Sequence, residues 1–136
     1  MTLVVGVDGS DTSWRAAAYA VGMVRRHGGR SRLVFVYVRS NPGLRALVPQ
    51  VVPASVEAAD LTVTQIVETL RRALEGLEWE LRNPTGSPFA ELRRVATAVR
   101  ADTVVVGAST GLGHRIAGSL AARLVKTRRW PVVVVP

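Results

Sequence analysis

Residues 104–124 read VVVGASTGLGHRIAGSLAARL. A β-branched run, Val104 to Val106, empties through several glycines and a Ser-Thr pair into a second helix-like stretch, the outline of a strand, a turn and a covering helix. The same outline stands at the start of the chain. There TLVVGVDGS begins as a buried strand, Leu3 to Val7, and turns through Gly6 to Gly9 into SDTSWRAAAYAVGMVRRHGG. Ser10, Asp11 or Thr12 can cap that helix, and Gly28-Gly29 can end it. Trp14, Ala17, Ala18, Val21 and Val24 recur at helical spacing, and the arginines and histidine of the last turn suit the helix dipole.

Between these ends, RLVFVYV is a second near-continuous apolar strand, Leu33 to Val38. Two fully apolar strands around one helix mark a parallel β-α-β unit covered on both faces. Pro42, Gly43, Pro49 and Pro53 make Arg39 to about Ala58 a long loop. A helix follows from Ala59 to Leu77, with Leu61, Ile66, Leu70 and Leu74 as its apolar positions. EWELRN is a more polar strand that suits a sheet edge. PTGSP then turns the chain into a helix, Phe89 to Arg100, with Phe89, Leu92, Val95, Ala96 and Val99 on one face. TVVVG is a central strand, Ala117 or Gly118 to Thr127 a helix, and WPVVVVP the last strand. This order predicts an α/β fold: a doubly wound five-stranded parallel sheet with helices on both faces. Such sheets bind ligands beyond the carboxyl ends of their strands where the winding reverses, which directs attention to DGS after strand one and GASTGLGHRIAGS after strand four.

At 136 residues and 48% hydrophobic content, the chain fits a single domain, 1–136, rather than a disordered one. It holds no run of the roughly 20 apolar residues that a membrane span needs, and MTLVVGVDGSD shows no basic leader, so a soluble cytoplasmic protein is expected. With no cysteine, disulfides and thiolate zinc sites are excluded, and His27 and His114 are too far apart for a metal motif. The net charge of +8 invites a nucleic-acid reading. That charge, however, is spread: the adjacent basic residues form separate pairs, Arg25/Arg26, Arg71/Arg72, Arg93/Arg94 and Arg128/Arg129, none within a longer basic run, which read as solvated helix faces and put nucleic acid last among partners. Trp14 and Trp130 read as core or interface anchors. Aromatics at 5% are too few for a single-strand stacking surface.

Two turns carry the candidate chemistry. Asp8 can accept hydrogen bonds from a ribose or an adenine amino group, with Gly9 admitting close backbone approach and Ser10 donating; alternatively Asp8 closes a turn and Ser10 caps the helix. In the second turn Gly107, Gly111 and Gly113 permit positive φ and close approach, and Gly118-Ser119 open a helix whose free N–H groups favour an anion. Ser109, Thr110, Ser119, His114 and Arg115 add donors. The stretch is not GxxxxGK[ST], and the GxG at Gly111 to Gly113 does not extend into a dinucleotide fingerprint, so an ordinary β-α loop is the competing reading. No catalytic triad or metal-carboxylate set emerges, and the chain is not expected to be an enzyme, with slow ATP hydrolysis left open.

The ordered set VVGVDGSDTSWRAAAYA, LVFVYV, GSPFAELRRVA, ADTVVVGAS and GSLAARLVKTRRWPVVVVP resembles the universal stress protein family over essentially the whole chain. The resemblance implies sheet order 3-2-1-4-5, an adenine nucleotide ligand (ATP or AMP, with Mg only alongside ATP) in many members, and homodimers through antiparallel pairing of the last strands, here Pro131 to Val135. By position Asp8 matches the acidic residue near adenosine and Val38 the strand-two valine facing adenine. Gly107, followed by Ala108, matches the first phosphate-loop glycine, and Gly118, Ser119 and Leu120 its close. The loop between departs from the family pattern G-x2-G-x9-G-[S/T]. Thr110 replaces the second glycine, and eleven positions rather than thirteen separate Gly107 from Gly118. Two extended residues are worth up to about 7 Å of reach, enough to remove a wrap around the outer phosphates. Gly111 and Gly113 can restore backbone freedom, and Arg115 can supply a guanidinium fork.

The implied function is a dimeric stress-response protein with an adenine nucleotide as regulatory ligand and an unidentified protein partner. The alternative is an interaction module of the same fold that binds no nucleotide. The dimer also has an independent argument, because PVVVVP is apolar on both faces and would leave an open sheet edge that pairing with its twin would close.

Overall fold

An apolar strand can fill two cores at once because consecutive side chains point to opposite faces of the sheet. The computed structural model describes residues 1–39, 52–108 and 119–136, with residues 52–62 described by their backbone alone. In chain order the elements are β1 (Thr2–Gly6), α1 (Asp11–His27), β2 (Arg32–Val36), α2 (Val52–Ala73), β3 (Glu78–Arg82), α3 (Pro88–Ala98), β4 (Thr103–Gly107), α4 (Ser119–Lys126) and β5 (Val132–Val135). The sheet has the order β3-β2-β1-β4-β5, with every pair parallel. This is the predicted doubly wound architecture and the strand order that the family resemblance implied.

On one face Leu3, Val5, Leu33, Phe35 and Val105 pack against Ala16, Ala17, Ala20 and Val24 of α1 and against Ile66, Leu70 and Leu74. On the other, Val4, Val34, Val36, Val104 and Val106 meet Leu92, Val95 and Ala96 of α3 with Ala121 and Leu124 of α4. Full burial of such side chains contributes about 1.5–3 kcal/mol each, so the three central strands dominate the core. The edge strand β3 adds Trp79, whose ring meets that of Phe35 edge-on at 6.3 Å.

Three details depart from the sequence reading. The buried stripe of α1 consists of Thr12, Ser13, Ala16, Ala17, Ala20 and Val24. Ala18 faces solvent, because the sheet accepts a stripe of small residues rather than one centred on the largest. α2 starts at Val52 and stops at Ala73, so the last seven residues of the expected loop and Pro53 itself are helical. Proline suits a first turn, where its missing N–H is not required. β2 ends at Val36, and Tyr37 and Arg39 continue towards the β3 exit through Tyr37 N–H donating to the Arg82 carbonyl at 2.9 Å and Arg39 N–H donating to that of Pro84 at 2.8 Å.

Candidate functional site

β1 and β4 are neighbours, yet α1 leaves towards one face of the sheet and α4 packs on the other. Their carboxyl ends therefore diverge, as a doubly wound sheet requires. A cavity of about 370 Å³ opens there, within the range of about 300–1,000 Å³ typical of small-molecule sites. Among the described residues, Asp8, Ser10, Val38, Gly107, Ala108, Ser119 and Leu120 all line it, so the structure brings together side chains that the sequence holds more than a hundred positions apart.

The polar side of the cavity is built around the start of α1. Gly9, with φ +84, takes a left-handed turn that a side chain would strain. That turn lets the Asp8 Oδ1 accept the Ser10 N–H at 2.8 Å. Ser10 caps the helix, its Oγ accepting the Ser13 N–H at 3.3 Å, and the Ser13 hydroxyl donates to the Ser10 carbonyl at 2.9 Å. The Asp8 N–H donates to Ser13 Oγ at 3.3 Å. Partial burial pushes the Asp8 carboxyl up, but hydrogen bonds from the Ser10 side chain and backbone and from Ser13 outweigh it and hold the group below its ordinary value. Asp8 therefore presents a carboxylate at neutral pH. The turn-closing and capping roles weighed for DGS are both realised, and the carboxylate still lines the cavity.

Gly107 has a different task from the one its loop position suggests. Its φ is not positive. A Cβ there would lie 2.5 Å from the Thr12 carbonyl carbon, 2.6 Å from its oxygen and 2.7 Å from the Ser13 nitrogen. The first turn of α1 packs directly on the end of β4, and only glycine leaves room for it.

Apolar walls complete the pocket. Val36 and Val38 come from the end of β2 and its exit, Val106 from β4, and Pro88 and Leu92 from α3. Ser87 caps α3, its Oγ accepting the Ala90 N–H at 3.3 Å, with Pro88 in the first turn. Pro88, Leu92, Thr12 and Ser13 also line the cavity, although the sequence marks Thr12 only as a helix cap and Leu92 only as an apolar helix position. The signal for them was weak, since a helix-opening proline and an apolar helix face read as ordinary helix grammar. Gly9 borders a second cleft instead, with Asp8, Trp14, Gln65, Ile66 and Thr69. Thr110, Gly111, Gly113, Arg115 and Gly118 lie outside the described residues. Among the described residues no group of three or more His, Cys, Asp or Glu side chains is placed to hold a metal ion, and no helix is long and apolar enough to cross a membrane.

Chemically, the cavity offers a carboxylate acceptor, serine and threonine hydroxyls, the opening turns of two helices and an apolar wall. That combination suits a flat apolar group carrying hydroxyls and an anion. A family model described as Universal stress protein family matches residues 1–136. A universal stress protein of Methanocaldococcus jannaschii is 28% identical over 145 residues, covering 98% of this chain and 80% of the relative. Among solved structures, UspA from Lactobacillus plantarum superposes with a TM-score of 0.76 at 24% identity, covering 100% of this chain and 97% of that one. A universal stress protein solved in complex with cAMP is 26% identical, with a TM-score of 0.68 and coverage of 99% of this chain and 95% of that one.

Proposed function

The chain belongs to the universal stress protein family, and from that premise we propose that it binds an adenine nucleotide, AMP or ATP, as a regulatory ligand in the cavity between β1 and β4. One observation carries the reading: Asp8 at the end of β1 and Ser119 at the start of α4 line the same pocket, with an apolar wall beside them. In the proposed arrangement the base lies against Val36, Val38 and Leu92, and the Asp8 carboxylate accepts from ribose hydroxyls. The phosphate meets the N-terminal turn of α4 at Ser119, where the first N–H groups of a helix and its dipole favour negative charge. The similar protein in complex with cAMP supports an adenine ligand of this size.

The nucleotide acts as a signal rather than a substrate. Asp8 is the only acidic side chain lining the cavity among the described residues, and hydrogen bonding holds its carboxyl below its ordinary value. A group that weakly basic is poorly matched to proton abstraction near neutral pH. The loop, two positions shorter than the family pattern, favours AMP over ATP, because the outer phosphates lose backbone to wrap them. Magnesium enters only with a triphosphate. We also propose a homodimer through the edge strand β5, where Val134 is 41% exposed and the outer row of backbone groups has no strand partner among the described residues.

Titration calorimetry with AMP and with ATP tests the nucleotide reading. Micromolar binding that Asp8→Ala and Ser119→Ala each weaken at least tenfold supports it. Absence of heat with either nucleotide overturns it and selects an interaction module of the same fold.

A further inference from the structure

In a parallel sheet wrapped by returning helices, the helix C-termini collect at the rim where the strands begin, opposite the cavity. In this protein that rim is basic. Its pieces are tied together by backbone bonds: the Met1 ammonium donates to the Arg30 carbonyl at 2.8 Å, Asp102 N–H to that of Thr2 at 2.8 Å and Val104 N–H to that of Pro131 at 3.0 Å. Arg25 Nη2 donates to the Ala73 carbonyl at the end of α2 at 3.2 Å. Arg25, Arg30, Arg71, Arg100, Arg128 and Arg129, scattered as pairs and singles in the sequence, thus share one rim. All six are exposed, and none has an ion-pair partner among the described residues. Of the nearby acids, Glu78 and Glu80 pair with Arg32, Glu68 with Arg72, and Asp102 accepts from the Thr2 N–H, which leaves Glu75 at the exit of α2 as the acid of this rim with no ion pair among the described residues, against six such arginines.

Helix capping alone does not account for these arginines. Each helix exit contains a residue with positive φ. After α1 and α2 it is glycine, Gly28 at φ +66 and Gly76 at φ +80, whereas after α3 and α4 it is arginine, Arg100 at φ +53 and Arg128 at φ +54. Arg100 N–H donates to the Thr97 carbonyl at 3.2 Å and Ala101 N–H to that of Ala96 at 2.9 Å, a Schellman closure whose left-handed position prefers glycine. Two side chains that strain their backbone both add unpaired positive charge to the same rim.

We propose that this rim binds the phosphate backbone of a nucleic-acid duplex without regard to base sequence. The inference is independent of the nucleotide site. Guanidinium groups fork onto phosphate oxygens. Five strands set the rim's length at about 19 Å, several times the spacing of duplex phosphates. Among the described residues, Val125 is the only exposed large apolar side chain in a helix's last turn, too little to enter a bilayer, and the rim carries no row of exposed aromatics to stack unpaired bases.

Fluorescence anisotropy of a labelled 20-base-pair DNA, measured over a range of salt, tests the proposal. Log affinity is expected to fall with log salt at a slope of about −4. Arg100→Gly with Arg128→Gly is expected to weaken binding about tenfold or more and to flatten the slope by about 2. The same variant should keep its melting temperature or raise it, and should bind AMP as the parent does. Removing equal charge elsewhere, with Arg93→Gln and Arg94→Gln on α3, should leave DNA affinity unchanged. A flat salt dependence, equal losses from both double variants, or retention by polyglutamate or anionic vesicles but not by the duplex overturns the proposal.

Discussion

Gly107→Ala separates two reasons for a glycine at the end of β4. If glycine served only to free the backbone, alanine would cost nothing at a non-positive φ. It would even stabilise the protein by about 0.4–1 kcal/mol through the unfolded chain. The structure predicts the opposite sign. The new methyl carbon would sit 2.5 Å from the Thr12 carbonyl carbon, short of ordinary contact by about 0.9 Å, and the atoms it meets are backbone in a capped helix turn rather than a pliable side chain. Overpacking of this kind costs about 1–3 kcal/mol. For a domain of this length that is a fall of roughly 3–10 °C in melting temperature. Because the displaced turn carries Ser10 and Thr12, AMP affinity should fall with it. Urea unfolding and calorimetry of the same preparation read both effects. An alanine variant as stable as the parent, or more so, refutes the packing argument.

Other perturbations probe neighbouring parts. Ser10→Ala removes the cap of α1 and should cost about 0.5–2 kcal/mol in urea unfolding, with weaker AMP binding. Asp8 has its carboxyl held below the ordinary value, so its stabilising contribution is complete above the unfolded value. That contribution fades as pH falls from about 4 through the lower folded value. Melting curves of the parent and Asp8→Asn should therefore run parallel from pH 5 to 8 and converge in acid; a gap that widens in acid contradicts the hydrogen-bonded carboxylate. Leu92→Ala should cost about 2–5 kcal/mol, because Leu92 is 2% exposed in the core beneath α3. Val134→Lys places a charge on the open edge of β5 and should convert a dimer to a monomer in sedimentation equilibrium; a parent protein that is already monomeric removes the edge-pairing proposal.

Much of the fold was legible because the central strands are apolar on both faces. LVV, LVFV and VVV leave no alternation to suggest an open sheet, and glycine or proline punctuation separates them from the helices. The start of α2 was not legible, because Pro53 signals a loop and a helical first turn equally well. The α1 stripe was misread at Ala18, since alanines carry little hydrophobic weight and only packing shows which of them face the sheet. At the site, Asp8 and Ser10 could be found because they lie in the turn just after β1, and Gly107 because it ends β4. Pro88 and Leu92 could not, because a helix-opening proline and an apolar helix position read as ordinary helix grammar until the fold turns them towards the cavity. The basic rim was hidden for a related reason: its charges lie at the ends of separate elements, and only parallel topology gathers them.

The central claim is that one cavity between β1 and β4 takes the adenine nucleotide. It is tested most directly by amide NMR shifts during titration with AMP. Saturable shifts at Asp8, Ser10, Val38, Gly107, Ala108 and Ser119, with the rim from Arg30 to Arg128 unmoved, are the predicted result. A spectrum unchanged at millimolar AMP, or shifts confined to residues away from that cavity, contradicts the account.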